Sequence, residues 1–115
     1  MSPTDKSDII RILVVGLGGI GSQLTELIVP ALSISKHKVE LNFMDGDIVE
    51  KNNLAHQRFS NKDENSPKVE VLQQRYQLYD NVKTIAHNNN LTTQSQLEGY
   101  DIIVVAVDRQ EPRNL

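Results

Sequence analysis

A chain of 115 residues with a formal net charge of −3, 38% apolar residues, six glycines and no cysteine fits one domain with a modest core. Its longest apolar runs, Ile12 to Val15 and Ile102 to Val107, are far too short to cross a bilayer, and Met1 to Asp8 is polar. Membrane and secretory classes therefore fall away and a cytoplasmic location is expected, while scattered Lys and Arg in an acidic chain leave no electrostatic footprint for DNA or RNA.

Ile9, Ile10, Ile12, Leu13, Val14 and Val15 predict a buried strand that ends at Gly16. From Ile20 to Ile34 the apolar residues Ile20, Leu24, Leu27, Ile28, Ala31 and Leu32 recur at helical spacing, and Pro30 is expected to kink or end the helix. Val39, Leu41 and Phe43 alternate with Glu40 and Asn42, predicting a second strand closed by the turn Asp45-Gly46-Asp47. Gly46 to Asn65 is polar and aperiodic, a connection long enough to be functional or mobile. Ser66 and Pro67 read as the N-cap and first residue of a helix carrying Val69, Leu72, Tyr76 and Tyr79. Val82 to His87 reads as a third strand, Asn88 to Asn90 as a break, Ser95 to Glu98 as a helical turn and Asp101 to Val107 as a fourth strand that runs into Asp108.

This order predicts an α/β fold, a Rossmann-like parallel sheet with crossover helices, truncated after the fourth strand and forming a single partial domain over residues 1–115. In such a sheet ligands bind at the carboxyl ends of the strands, which here carry Gly16, Asp45, His87 and Asp108. Gly16-Leu17-Gly18-Gly19-Ile20-Gly21 fits G-x-G-x-x-G between a strand and a helix, where backbone amides approach a phosphate. Ser22 occupies the place where a Walker loop needs lysine, so that reading fails. Asp45 stands where a carboxylate accepts ribose hydroxyls, although a turn-forming Asp before glycine is the plain alternative, and position alone does not separate NAD from ATP. His37, His56 and His87 lack ligand spacing, so no zinc is expected in the chain. Asp45-x-Asp47 lacks the later ligands of a calcium loop, Lys62-Asp63-Glu64 reads as a solvated loop, and Tyr76 and Tyr79 read as core or core-edge residues.

Asp45-Gly46-Asp47-Ile48-Val49, then Asn53-Leu54-Ala55-His56-Gln57-Arg58-Phe59, then Lys68, together resemble the ThiF/MoeB/HesA family, the ubiquitin-activating-enzyme-like adenylyltransferases. That family has D-x-D-x-V, N-L-x-R-Q and a lysine opening the next helix. The resemblance implies an ATP- and Mg²⁺-dependent enzyme that activates a carboxylate, typically the C-terminus of a ubiquitin-like or sulfur-carrier protein, as an acyl-adenylate, and it implies a homodimer. It places Gly16, Gly18, Gly19 and Gly21 on the nucleotide, Asp45 on the ribose and Asn53 and Lys68 on the phosphates, and it counts Asp47, His56, Gln57 and Arg58 among the nucleotide-binding residues. Asp108 would position Mg²⁺ and act with Lys68 in catalysis, and Arg113 matches a frequent arginine of the next helix.

The chain departs from the pattern in three ways. His56 stands where the family has arginine, which leaves Arg58 as the candidate substitute. Asn65 or Ser66 replaces the glycine before the lysine, and Asn tolerates a left-handed backbone. The sequence ends at Leu115, where the family continues into further strands and often a Cys-x-x-Cys zinc site, and it lacks an N-terminal segment that supplies an arginine to the partner. Two alternatives stand beside this reading: an NAD-binding module of an oxidoreductase, which leaves Asn53, Gln57 and Lys68 unexplained, and a non-catalytic ThiF-like interaction domain.

Overall fold

The β-branched runs become four strands that pair without exception in parallel. In the computed structural model, which describes residues 9–35, 37–50, 59–77 and 79–106, β1 (Ile9–Val15), α1 (Gly19–Ser33), β2 (Lys38–Met44), α2 (Lys68–Arg75), β3 (Val82–His87) and β4 (Ile102–Val105) follow one another. Short 3-10 turns at Asn61–Asp63 and Gln94–Leu97 complete the order. The sheet order is β3-β2-β1-β4, with Ile12 opposite both Leu41 and Ile102, and Phe43 opposite Ala86. The chain thus steps outward from β1 to β3 and then returns to the other side of β1, which is the strand-order reversal expected of a Rossmann half. Asp108 and the other residues from 107 onward lie outside the described residues.

Because side chains alternate along each strand, the two faces of the sheet have separate contents. One face gathers Ile12, Val14, Val39, Leu41, Phe43 and Val82 under Val29 of α1 and Val69 and Leu72 of α2, with Val49 and Phe59 of the long connection packed into the same core. The other face is smaller: Leu13, Val15 and Met44 meet Leu91, Leu97 and Tyr100 of the β3–β4 connection. Among the described residues β4 is an edge strand, and its Ile102, Ile103 and Val105 are exposed. Among the described residues no helix is long and apolar enough to cross a membrane.

Three local expectations change. α1 continues through Pro30, which lies exposed, and ends about one turn later at Ser33. α2 begins at Lys68, so Pro67, in extended conformation, takes the N-cap position in place of Ser66 and bridges to Ile48. Asp63 is buried rather than solvated: its Oδ2 accepts the Ser60 amide at 2.8 Å and pairs with Arg75 at 3.6 Å. The expectation at Asn65 holds: it adopts φ 74°, the left-handed conformation that its short amide side chain tolerates.

Candidate functional site

The carboxyl edge of the sheet is assembled by backbone geometry before any side chain is considered. β1 ends in Gly16 at φ 92°, a region open to glycine at no steric cost, and the Gly16 amide still donates to the Met44 carbonyl at 2.9 Å, extending the β1–β2 ladder by one bond. The chain then turns through Leu17 and Gly18 into α1. A Cβ on Gly21 would stand 1.8 Å from the Gly16 carbonyl oxygen, so this glycine is required by the approach of helix to strand. Ser22 and Thr25 are fully buried, and their hydroxyls donate back to the carbonyls of Gly18 at 2.7 Å and Gly21 at 2.8 Å. The α1 N-terminus has no side-chain cap and no acidic residue in its first turn, so no side chain of the helix's own first turn answers its leading amides.

Asp45 ties this turn to the next segment. Its Oδ2 accepts the buried Leu17 amide at 2.6 Å, and its Oδ1 accepts the Asp47 amide at 2.8 Å. The Asp47 carbonyl in turn accepts the amide of Lys68, the first residue of α2, at 3.1 Å. One chain of hydrogen bonds therefore runs from the glycine turn through Asp45 and Asp47 to Lys68. A second set holds the entry to α2, where the Val49 amide donates to Ser66 at 2.8 Å and the Asn65 amide to Val49 at 2.7 Å. Lys68 is 5% exposed and takes part in no ion pair among the described residues, where the pairs are Arg11–Glu40 and Arg75–Asp63.

The structure thus brings together Gly16, Gly18, Gly19, Gly21, Asp45, Asp47 and Lys68. Asn53, His56, Gln57, Arg58, Asp108 and Arg113 lie outside the described residues. His87 reaches the same sheet edge, but its ring bonds Asn42 Oδ1 through Nε2 at 2.8 Å, on the sheet face opposite α1 and α2. Among the described residues no group of three or more His, Asp or Glu side chains is arranged to hold a metal ion. Sequence reading missed Asp45's hold on the glycine turn, and it missed Asn90, whose side chain accepts the Gly46 amide at 2.9 Å. Only the Asn-rich break after β3 hinted at the second.

Comparison with known proteins gives this geometry relatives. Structures similar to the chain include E. coli MccB, at 25% identity over 96% of this chain and 30% of that one, TM-score 0.75. E. coli tRNA N6-threonylcarbamoyladenosine dehydratase TcdA, solved in complex with ATP, is similar at 25% identity over 86% of this chain and 41% of that one, TM-score 0.71. PaaA shares the fold at 21% identity, 84% of this chain and 30% of that one, TM-score 0.67. The chain spans less than half the length of each of these structures. No curated protein sequence matches it. The ThiF family profile, by contrast, matches residues 4–115, and with the glycine turn, Asp45 and Lys68 joined at one sheet edge, the chain belongs to the ThiF family.

Proposed function

We propose that the chain is the ATP-binding part of an adenylyltransferase that activates a carboxylate as an acyl-adenylate. The observation that carries this reading is the continuous hydrogen-bonded path from the glycine turn through Asp45 and Asp47 to Lys68. A carboxylate offers about four acceptor sites, and the bonds to Leu17 and Asp47 engage Asp45 once on each oxygen. The remaining sites suit two ribose hydroxyls. The uncapped start of α1 suits a phosphate, as helix N-termini do generally, and Lys68, whose amide the Asp47 carbonyl holds, supplies a positive charge. Asn53, His56, Gln57 and Arg58 complete the phosphate side of the proposal, and Asp108 is the carboxylate that would hold Mg²⁺, whose contribution would be to neutralise phosphate charge.

In the reaction a substrate carboxylate oxygen bonds to the α-phosphorus, the bond from that phosphorus to the bridging oxygen breaks, and pyrophosphate leaves with the electron pair. Charge grows on the phosphate oxygens, so preorganised amides and Lys68 serve the step better than any side-chain nucleophile. TcdA solved with ATP supports nucleotide binding, and MccB solved with AMPCPP and MccA supports a second molecule meeting the nucleotide. The acyl substrate we propose is the C-terminus of a ubiquitin-like or sulfur-carrier protein, with the enzyme acting as a cytoplasmic homodimer.

Calorimetric titration of the full protein with ATP, with and without Mg²⁺, and with NAD as competitor tests the reading. Magnesium-enhanced ATP binding is expected, weakened by roughly tenfold or more in Lys68→Ala, the scale of a hydrogen bond to a charged group. Selective NAD binding with no response to ATP would overturn it, as would pyrophosphate exchange that survives both Lys68→Ala and Asp108→Ala.

A further inference from the structure

The β3–β4 connection reaches the Asp45 turn through a residue outside every motif described above. Asn90 Oδ1 accepts the Gly46 amide at 2.9 Å. A Cβ on Gly46 would stand 2.8 Å from that oxygen and 2.9 Å from Asn90 Cγ and Nδ2. The Asn90 amide group thus occupies the space that a side chain at position 46 would need, immediately after the carboxylate that holds the glycine turn. Because an N–H must face an acceptor, the orientation of the Asn90 amide is settled by this bond.

Asn90 is itself braced. Gln96 Nε2 donates to the Asn90 carbonyl at 3.2 Å, while Gln96 Oε1 accepts the amides of Thr92 and Thr93, each at 2.7 Å. One residue earlier the Asp45 amide donates to the His87 carbonyl at 3.2 Å. Asp45 and Gly46 are therefore held from the β3 side by consecutive amides, one bonded to backbone and the next to the Asn90 side chain. The direction in which Asp45 presents its remaining acceptor sites depends on the backbone of these two residues.

We propose that Asn90 is a positioning residue for the nucleotide: by holding Gly46 it aims the Asp45 carboxylate at the ribose hydroxyls. It acts through the backbone of the turn. The proposal rests on the reading of Asp45 as the ribose acceptor, and the experiment separates the two. Affinities of the full protein for ATP and for 2′,3′-dideoxy-ATP are compared, since the two ligands share base and triphosphate and differ only in the hydroxyls that Asp45 would accept.

The wild-type protein is expected to prefer ATP by about tenfold, the scale of hydrogen bonds to a carboxylate. Asn90→Ala is expected to bring the ratio to about one while dideoxy-ATP affinity is kept, a pattern that general loss of structure would not produce. Asn90→Asp retains the acceptor and is expected to retain the ratio, even as its added negative charge beside Asp45 and Asp47 weakens both ligands. Gly46→Ala, whose Cβ would displace the Asn90 side chain, is expected to lose the ratio as Asn90→Ala does. A full preference kept by Asn90→Ala overturns the proposal and leaves the ribose reading standing, and a preference lost equally in Asn90→Asp overturns its hydrogen-bond basis. A folded wild-type protein that binds neither nucleotide, or both equally, removes the ribose contact and the proposal with it.

Discussion

The two faces of the sheet are held by different forces. Beneath the helices, Ile12, Val14, Leu41, Phe43 and Val82 form a continuous apolar layer with Val29, Val69 and Leu72. On the opposite face the apolar cluster shrinks to Leu13, Val15 and Met44 with their three neighbours, and polar side chains bridge the strands. Arg11 of β1 pairs with Glu40 of β2 at 3.0 Å and lies over the Tyr100 ring at 5.6 Å. Asn42 of β2, 1% exposed, donates to the Ile12 carbonyl of β1 at 3.2 Å and to Glu40 Oε2 at 3.1 Å, and accepts from His87 of β3. With the Asn42 amide nitrogen facing those acceptors, its oxygen faces His87, so His87 Nε2 carries the proton of that bond.

The lesson of the contrast is a division of labour. Apolar area is non-directional and drives the sheet to be covered, whereas the Asn42 network is satisfied in one strand alignment only. A slip of one residue would turn Asn42 into the layer beneath the helices and bring Phe43 out. Since the site at the carboxyl edge depends on Gly16, Asp45 and His87 ending level with one another, the polar face protects the geometry that the apolar face stabilises.

The largest effect is expected at Phe43. Fully buried in the apolar layer, its replacement by Ala is expected to lower stability by about 3–5 kcal/mol, read as a lowered urea midpoint. A smaller loss, about 1–3 kcal/mol, is expected for Asn42→Ala, which leaves the His87 N–H without its partner and removes the side-chain bonds to the Ile12 carbonyl and Glu40. Here amide hydrogen exchange sharpens the contrast: the Asn42 variant is expected to lose protection at the β2–β3 pairing, the Phe43 variant throughout the sheet.

The smallest effect lies at Glu40. Burial raises its pKa, but the hydrogen bonds from Asn42 and Arg11 outweigh burial and hold the carboxyl below its ordinary value of 4.5. A lowered folded-state pKa means that the associated stability is fully present above the unfolded value and is lost as pH falls through the folded one. Glu40→Gln is accordingly expected to flatten the acid end of a urea-midpoint profile taken downward from about pH 5, with the neutral-pH midpoint changed little because the pair with Arg11 is half-exposed. An unchanged acid slope would remove Glu40 from the network's pH response.

Much of this architecture is legible in the chain. Val82 to His87 is read with its exact bounds because β-branched residues fill a strand flanked by polar breaks, and β1 and β2 end at Gly16 and Asp45 for equally local reasons. Fidelity falls where partners are distant. Asp63 reads as solvated because nothing nearby in sequence announces Arg75, and Asn42 reads as a polar alternate of a half-buried strand although its partners lie on β1 and β3. Asp45 reads as a ligand, and its bond to Leu17 emerges only when β1 and β2 lie side by side.

By itself, then, the sequence determined the strand and helix periods, the glycine turn, and the family spacing that joins Asp45 to Lys68. Each is a local or near-local pattern, set by backbone sterics and side-chain polarity within one element. The tertiary structure decided which polar groups are buried, how Asp45 latches the turn, and that Asn90 touches Gly46. Those outcomes depend on hydrogen bonds that close only after parallel strands have paired, and a parallel crossover places its partners many residues apart.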